Sequence, residues 1–319
     1  MKYDRIAGID KDISKLVMGC DNQDDINEAS KLWDHWIEVG GNIFDTAFIY
    51  GGGNHEKVLG QWLSNNNNRD DVLILGKGAH TPDCNPEAIS QQLTISLERM
   101  NTDYVDIYIM HRDNNEYPVD EFIDVLNEEK EKGRIKIFGG SNWTIERFKK
   151  GNEWAQKNNK QEMSILNNNL ALAKMINPLW NGCLSSNDNE ILDYLNTTQK
   201  SHMSWSSQAR GYFLDDKTTK GIEEKITKSE SSWRKPGEHS SGPLSCYDSE
   251  ENRERKKRAR KLAENKGCSA NNIAASWTLS QSFPSFALIG PRTINELDTT
   301  LPCLDIELNQ EEINWLNLL

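Results

Sequence analysis

The sequence predicts an α/β fold, an eight-stranded parallel (β/α) TIM barrel built as a single domain over residues 1–319. Apolar runs of strand length alternate with amphipathic segments of helix length along almost the whole chain. Eight such runs are present, which is enough to close a barrel through right-handed crossovers. Polar side chains stand at the ends of several runs, and barrel enzymes carry their functional groups at the C-terminal ends of strands.

Each predicted element has its own signal. The predicted strands are, in order, SKLVMGC, NIFDTA, DVLILGK, YVDIYIMH, IKIFGGSN, MSILNNN, HMSWSSQ and SFALIGPR. The helices predicted after the first five are DINEASKLWDHWIEV, NHEKVLGQWLS, NPEAISQQLTISLERM, PVDEFIDVLNEEKEK and TIERFKKGNEWAQKN. Pro118 lies close to the start of the fourth helix, and Thr144 is the predicted N-cap of the fifth.

Three segments interrupt the alternation of predicted strands and helices. The asparagine-rich residues 65–71 predict a polar turn. Residues 214–250 are rich in Ser, Lys, Glu and Gly with weak apolar periodicity, so we expect a lid, a binding loop or a disordered segment there. The basic run at 253–261 alternates with acidic and apolar residues, which favours a solvated helix face over a nucleic-acid contact.

Composition narrows the functional classes. The net charge of −12 and pI of about 5.1 argue against a partner held through nucleic-acid phosphates. The six cysteines are scattered without a CxxC pair, which disfavours a disulfide framework and a zinc site, so no metal is expected. The first residues lack an apolar signal stretch, and no run of about 18 apolar residues predicts a membrane span. We therefore expect a soluble cytoplasmic protein.

Four polar residues at or just beyond strand ends predict a proton-transfer site: Asp45, Tyr50, Lys77 and His111. An unperturbed phenol has a pKa of about 10, too high for efficient proton transfer near neutral pH. A lysine ammonium beside Tyr50 is expected to lower that pKa, with Asp45 pairing to Lys77. His111 is expected to orient a substrate oxygen or share in the proton transfer. Singly, each residue has an ordinary explanation as a cap, a rim side chain or a solvated strand end.

Several segments resemble motifs of the aldo-keto reductase family. GGNIFDTAFIYGGGNHEKVLG is similar to the family's G-x-N-x-F-D-T-A-x-x-Y-G block and carries Asp45 and Tyr50. The family's catalytic lysine matches Lys77 in LILGKG, and its histidine matches His111 in SLERMNTDYVDIYIMHRD. GRIKIFGGSNWT resembles the G-K-I-x-x-x-G-V-S-N block. The resemblance runs from about residue 14 to residue 301 and implies a barrel without a Rossmann domain that uses NADPH/NADP+ to reduce aldehydes or ketones, sugar-derived ones included.

The resemblance also implies cofactor contacts. Ser141 and Asn142 would bind the nicotinamide carboxamide, Trp205 would stack on the ring, and Arg292 would hold the adenosine 2′-phosphate, beside Thr293 and with Glu296 near the adenine. The pyrophosphate would be lined by the segment after the seventh strand, namely Ser206, Ser207, Gln208, Arg210 and Gly211. Further cofactor contacts implied at strand ends are Gly19, Cys20, Asn167 and Gly290. This chain departs from the family pattern at Asn167, His55 and Thr300.

Substrate contacts are expected from three residues near these motifs. Arg112 follows His111 directly and is a candidate for binding hydroxyls, unless it pairs with the adjacent Asp113. Trp143 and Trp180 are candidates for aromatic walls of the cleft, which suit flat aldehydes and sugar faces alike. A small carbonyl compound is the expected partner, and the sequence predicts no oligomeric state.

Two other functional classes stay open. The β subunits of voltage-gated potassium channels resemble this family and act partly as partners of a channel, so a nucleotide-sensing regulatory subunit is one alternative. An enzyme that recycles its bound nicotinamide, such as an epimerase or dehydratase, is another.

Overall fold

A computed structural model describes residues 1–228 and 241–319, and the predicted eight-stranded barrel is confirmed. The strands follow one another around the closed barrel in chain order, all parallel, and the last pairs back onto the first. They are β3 (Leu16–Gly19), β4 (Ile43–Asp45), β5 (Leu73–Gly78), β6 (Val105–Met110), β7 (Ile135–Ser141), β8 (Ile165–Asn167), β9 (Ser201–Ser204) and β10 (Ser285–Ile289).

Helices surround the barrel. In the described residues they are α1 (Ile26–Glu38), α2 (Asn54–Asn66), α3 (Pro86–Met100), α4 (Val119–Glu131), α5 (Ile145–Lys157), α6 (Asn189–Thr198), α7 (Asp216–Lys228), α8 (Pro243–Tyr247), α9 (Glu250–Lys266), α10 (Ala270–Leu279), α11 (Ile294–Thr300) and α12 (Gln310–Leu316). Thr144 caps α5 as predicted, because its side chain accepts from the N–H of Arg147. Asn67 ends α2 in a left-handed conformation, within the predicted turn.

The barrel strands are buried on both faces, which explains their unbroken apolar runs. In β6, Ile107 and Ile109 point into the barrel interior, whereas Tyr108 and Met110 pack toward the helices. The two faces therefore form two cores, one inside the barrel and one between barrel and helices. This rigid scaffold fixes the positions of the strand ends.

A short hairpin that the sequence reasoning did not predict covers the N-terminal end of the barrel. It pairs β1 (Tyr3–Asp4) with β2 (Ile13–Ser14). Ile6 and Ile9 in its loop join the apolar cluster of the barrel interior. Its position at that end follows from the hydrogen bond between the Ser14 N–H and the side chain of Asn42, which immediately precedes β4. The hairpin leaves uncovered the opposite end of the barrel, where the strands have their C-terminal ends and where barrel enzymes carry their functional groups.

The described parts of the segment 214–250 are largely helical. Helices α7 and α8 fall within it, and residues 229–240 lie outside the described residues. Glu223 of α7 accepts a hydrogen bond from the Leu244 N–H at 2.8 Å, which ties α7 to α8. Asp216 pairs with Lys256 at 3.0 Å and Arg260 at 2.7 Å, which ties α7 to α9.

The basic run at 253–261 lies in α9, as predicted, but it is not wholly solvated. Arg255 and Lys256 are buried at 3% and 7% exposure. The six cysteines are all unpaired. In the described residues, no helix combines the length and the hydropathy needed to cross a bilayer.

Candidate active site

Three neighbouring strands bring predicted catalytic side chains to one end of the barrel. Asp45 is the last residue of β4, Lys77 lies in β5, and His111 follows β6 directly. β4 pairs with β5, and β5 with β6, in parallel register. Because the C-terminal ends of parallel strands share one edge, the three side chains meet there.

Tyr50 reaches the same place from the connection between β4 and α2. It opens a tight turn, Tyr50–Gly53, and its N–H donates to the Ala47 carbonyl at 3.0 Å. The following residues Gly51, Gly52 and Gly53 have φ angles of 55°, 62° and 94°. This left-handed conformation strains residues with a Cβ atom, so the glycines allow the sharp turn that returns the phenol to the strand ends.

A buried ion pair lies beside the phenol. The Lys77 Nζ donates to Asp45 Oδ1, and the two side chains are only 3% and 6% exposed. The same Nζ lies 5.1 Å from the centroid of the Tyr50 ring. Lys77 therefore lies close to the phenol, but its positive charge is largely compensated by Asp45.

The expectation that Lys77 lowers the pKa of Tyr50 is wrong, because Asp45 compensates the charge of Lys77. Burial, reinforced by the charges of Asp45 and Asp21, holds the pKa of the phenol well above its usual value near 10. The cation that opposes this rise is Arg112, not Lys77. Tyr50 is therefore a protonated phenol at neutral pH.

His111 is held as a neutral imidazole. Its ring stands edge-on to Tyr50 at 5.7 Å between centroids and to His80 at 4.9 Å. Burial, with the nearby positive charges of His80, Arg112 and Lys77, lowers the pKa of His111 well below 6.5. Its Nδ1 is buried without a hydrogen-bond partner among the described residues. A neutral ring can donate or accept a hydrogen bond, which suits orientation of a carbonyl.

The residues expected at the nicotinamide carboxamide lie at the ends of β7 and β8. Ser141 is the last residue of β7, and Asn142 follows with a φ of 58°. The Asn142 amide donates to Ser141 Oγ at 3.0 Å and accepts from the Leu184 N–H at 3.0 Å. Asn167 ends β8 and donates to the Met203 carbonyl at 2.5 Å. These side chains are buried and held by hydrogen bonds to neighbouring residues.

The segment after β9 presents unsatisfied donors. Ser206 and Arg210 both have positive φ angles, of 50° and 53°. The Nε1 of Trp205, the Nε2 of Gln208 and the Nε of Arg210 are buried without a partner among the described residues. Ser207, by contrast, donates to the Leu288 carbonyl at 2.8 Å. Buried donors without acceptors are costly, and the described residues supply no acceptor for these three groups.

The remaining expected cofactor residues flank this segment at the ends of β3 and β10. A Cβ atom on Gly19 would lie 3.0 Å from the Ile289 carbonyl oxygen, so the ends of these strands approach closely there. Cys20 is fully buried, the charge of Asp45 acts on its thiol, and its Sγ donates to the Met18 carbonyl at 3.8 Å. Gly290 directly follows β10, and the Asn22 side chain donates to its carbonyl at 3.1 Å.

The residues expected at the adenosine end follow β10 on the surface. Arg292 is exposed, and its N–H donates to Glu296 Oε2 at 2.7 Å. Thr293 caps α11 by accepting from the Glu296 N–H at 3.2 Å. The Glu296 carboxylate and the Thr293 hydroxyl thus hold the start of α11, while the Arg292 guanidinium extends into solvent.

The three residues expected to contact substrate differ in their burial and in their contacts. Trp143 is fully buried, its indole N–H donates to the Arg112 carbonyl at 3.3 Å, and its ring lies against Phe122, so it supports the cleft rather than lining it. Trp180 is half-buried and lies 6.2 Å from the ring of Trp205. Arg112 does not pair with Asp113, which instead binds Arg147 at 3.2 Å.

Two neighbours of the candidate catalytic residues were not predicted from the sequence. Asp21, two residues after the first barrel strand, acts electrostatically on Tyr50 and Asp45. His80, just beyond Lys77, packs against His111. Each follows a predicted strand end, so a wider window after each strand would have included both. His55 Nε2 also contacts the Asp24 carboxylate at 2.7 Å, which links α2 to the loop after β3.

Comparison with known proteins identifies the family of this barrel. A model of the Aldo/keto reductase family matches residues 17–318. The chain belongs to this family. The predicted family resemblance is thereby confirmed for nearly the whole length of this aldo/keto reductase.

Relatives of this aldo/keto reductase are named oxidoreductases. The norsolorinic acid reductase stcV of Emericella nidulans is 26% identical over 303 residues, covering 89% of this chain and 70% of that protein. The oxidoreductase YrpG of Bacillus subtilis is 23% identical, covering 99% of this chain and 95% of its own. The crystal structure of the thermostable aldo-keto reductase Tm1743 with the inhibitor epalrestat has the same fold, with a TM-score of 0.75 at 20% identity over 100% and 99% of the two chains. The family supports an oxidoreductase, and its members generally use a nicotinamide cofactor.

Proposed function

We propose that this protein is an NADPH-dependent reductase of an aldehyde or ketone, with Tyr50 as the proton donor. The observation that carries the proposal is the juxtaposition of a protonated phenol, a buried Asp45–Lys77 pair and a neutral His111 at the ends of adjacent strands. The balanced reaction consumes one carbonyl compound, one NADPH and one proton, and yields an alcohol and NADP+. The named activity of the Emericella relative supports reduction.

The roles follow from the charge states. Negative charge develops on the carbonyl oxygen during reduction, so a donor must hold its proton until that moment. The raised pKa of Tyr50 keeps the proton on the phenol. His111, neutral and edge-on to the phenol, would orient the carbonyl oxygen. The Lys77 ammonium, held by Asp45, would stabilise the phenolate left after proton transfer.

The residues present fit a nicotinamide dinucleotide. The unsatisfied donors of Gln208 and Arg210 suit the oxygens of a pyrophosphate. Trp205 at the end of the barrel offers a ring face for stacking, and Ser141 and Asn142 offer polar groups for a carboxamide. The exposed Arg292 guanidinium suits a 2′-phosphate, which favours NADPH over NADH. When bound, this cofactor supplies the hydride.

The test is NADPH oxidation by the purified protein against a panel of aldehydes, ketones and keto-sugars, followed by the loss of absorbance of the reduced cofactor. Tyr50→Phe removes only the hydroxyl and should lower kcat by roughly 10²–10⁴-fold, with NADPH affinity unchanged by fluorescence titration. Tyr104→Phe is the matched control, because Tyr104 precedes β6 at the far end of the barrel and contacts Asp70 there. Normal turnover by Tyr50→Phe would refute the assignment.

A further inference from the structure

Arg112 is a buried cation without an acidic partner among the described residues. Its side chain lies next to the catalytic histidine, and the residue is 9% exposed. Its Nη1 donates to the His111 carbonyl at 2.8 Å, and no described carboxylate lies within ion-pair distance of the guanidinium. A guanidinium has five N–H donors, so most remain without a protein acceptor. Burying such a charge is unfavourable unless an anion compensates it.

The positive charge of Arg112 acts on Tyr50 and His111, whose rings lie 5.7 Å apart. It opposes the rise in the pKa of Tyr50 and contributes to the lowered pKa of His111. From the other side, the loop between β8 and α6 approaches it, since a Cβ atom on Gly182 would lie 4.0 Å from the Arg112 Nε. Arg112 therefore lies between His111 and the loop that joins β8 to α6.

The barrel order separates Arg112 from the adenosine end of the expected cofactor site. Arg112 follows β6, and Arg292 follows β10. Four steps around the eight-stranded ring lead from β6 to β10 in either direction, so the two arginines lie on opposite sides of the barrel mouth. The missing counter-ion of Arg112 is therefore not the 2′-phosphate that Arg292 would bind.

The surroundings of Arg112 are apolar and positively charged. Trp180 lies in the same loop between β8 and α6, and the guanidinium carbon of Arg210 lies 5.0 Å from the centroid of its ring. Cys183 lies within the field of both arginines, which lower the pKa of its thiol against the effect of burial. The nearest acidic groups acting on the phenol, Asp45 and Asp21, belong to the β3 and β4 side of the mouth. On the β6 side, the Asp113 carboxylate is paired with Arg147 at 3.2 Å, and no described carboxylate pairs with Arg112.

We propose that the carbonyl substrate carries an anionic group, which binds the Arg112 guanidinium while the carbonyl lies at Tyr50. This inference rests on the proposed reductase function and specifies its substrate class. An anion with two oxygens matches the planar donor fork of arginine and would compensate its buried charge. Trp180 would cover the apolar part of the substrate between the two ends. A carboxylate and a phosphate monoester share this chemistry, and the experiment separates them.

The experiment compares kcat/KM for 4-carboxybenzaldehyde and for its methyl ester, which differ by one charge, with 4-formylphenyl phosphate as the phosphate-bearing probe. The wild-type protein should prefer the carboxylate at least tenfold over the ester. Arg112→Met should reduce that ratio to near one, mainly through KM, whereas Arg112→Lys, which keeps the charge, should retain part of it. Arg5→Gln is the matched control, because Arg5 is an exposed arginine of the hairpin at the far end of the barrel. Its ratio should equal that of the wild type.

The other outcomes are decisive. Equal kcat/KM for acid and ester in the wild type would overturn the inference. An equal loss on both substrates in Arg112→Met would also overturn it, since Arg112 would then act on the acidity of Tyr50. A stronger preference for the phosphate probe would support an anion and identify phosphate as its source.

A binding measurement separates this inference from the proposed function. Quenching of tryptophan fluorescence by benzoate, with NADP+ present, needs no turnover. Absence of turnover on every aldehyde would refute the reductase, and Arg112-dependent benzoate binding would still support the anion site. Benzoate binding that is unchanged in Arg112→Met, or absent from the wild type, would overturn the anion site.

Discussion

The Lys77 ammonium and the Asp45 carboxylate form an ion pair across two neighbouring parallel strands, with both side chains buried. Burial raises the pKa of Asp45, and the positive charge of Lys77 opposes that rise. Removing one partner would leave the other charge buried and uncompensated, which is costlier than removing both. The pair therefore couples stability to the chemistry of the site.

Lys77→Met should destabilise the protein by about 3–5 kcal/mol, because it leaves Asp45 without its counter-ion. The double variant Asp45→Asn/Lys77→Met should recover most of that loss but not reductase activity. Urea unfolding and NADPH oxidation on the same preparations test both statements. Additive stability losses in the double variant would show that the two residues are not energetically coupled.

The rate of reduction should not depend on pH between about pH 7 and pH 9.5 through the catalytic residues. Tyr50 stays protonated because its pKa is raised above 10, and His111 stays neutral because its pKa is lowered below 6.5. A phenol with a pKa lowered to about 8 would instead lose activity tenfold per pH unit above that value. The profile of kcat/KM distinguishes the two cases, and Asp45→Asn serves as the comparison, since it removes a charge that raises the pKa of the phenol.

Arg292→Ser should lower kcat/KM for NADPH by about 10–150-fold, the value of one charged hydrogen-bonded contact of about 1.5–3 kcal/mol. The side chain is exposed after β10 and makes no ion pair with a described residue, so folding should not suffer. NADH, which lacks the 2′-phosphate, is the internal control and should change little. An unaltered ratio of NADPH to NADH efficiency would show that Arg292 does not read the phosphate.

The barrel and the proximity of the four candidate catalytic residues could be predicted, because both depend on local sequence patterns. A strand buried on both faces appears as an unbroken apolar run, and a polar residue such as Lys77 or His111 at its end stands out from that run. The three glycines after Tyr50 stand in the sequence as well, but the left-handed turn that they form was not predicted.

Long-range partners were not predictable. Asp113 stands next to Arg112 in sequence but binds Arg147, 34 residues away. Trp143 follows Asn142 but is directed into the core, where its indole supports the Arg112 carbonyl. Helix α7 has few regularly spaced apolar residues and was not predicted. Ion pairs of Asp216 with Lys256 and Arg260 hold part of it against α9. Such pairings depend on which helices become neighbours in space.

The last prediction concerns acid stability. His202 in β9 is fully buried, its Nε2 lies 3.0 Å from Ser186 Oγ, and burial lowers its pKa to about 3. Between this value and the unfolded value of about 6.5, the unfolded chain binds more protons, so stability is present above pH 6.5 and is lost as pH falls. His202 alone should contribute a slope of about 1.4 kcal/mol per pH unit between about pH 4 and pH 6.

His202→Gln should therefore flatten the pH dependence of the unfolding free energy in that range, measured by urea denaturation at several pH values. His35→Gln is the matched control, because Asp298 at 2.7 Å raises the pKa of His35. That histidine is protonated in both states below about pH 6, so its removal should change the slope only above about pH 6.5. Equal slopes for the wild type and His202→Gln in acid would show that His202 takes up its proton without unfolding the barrel.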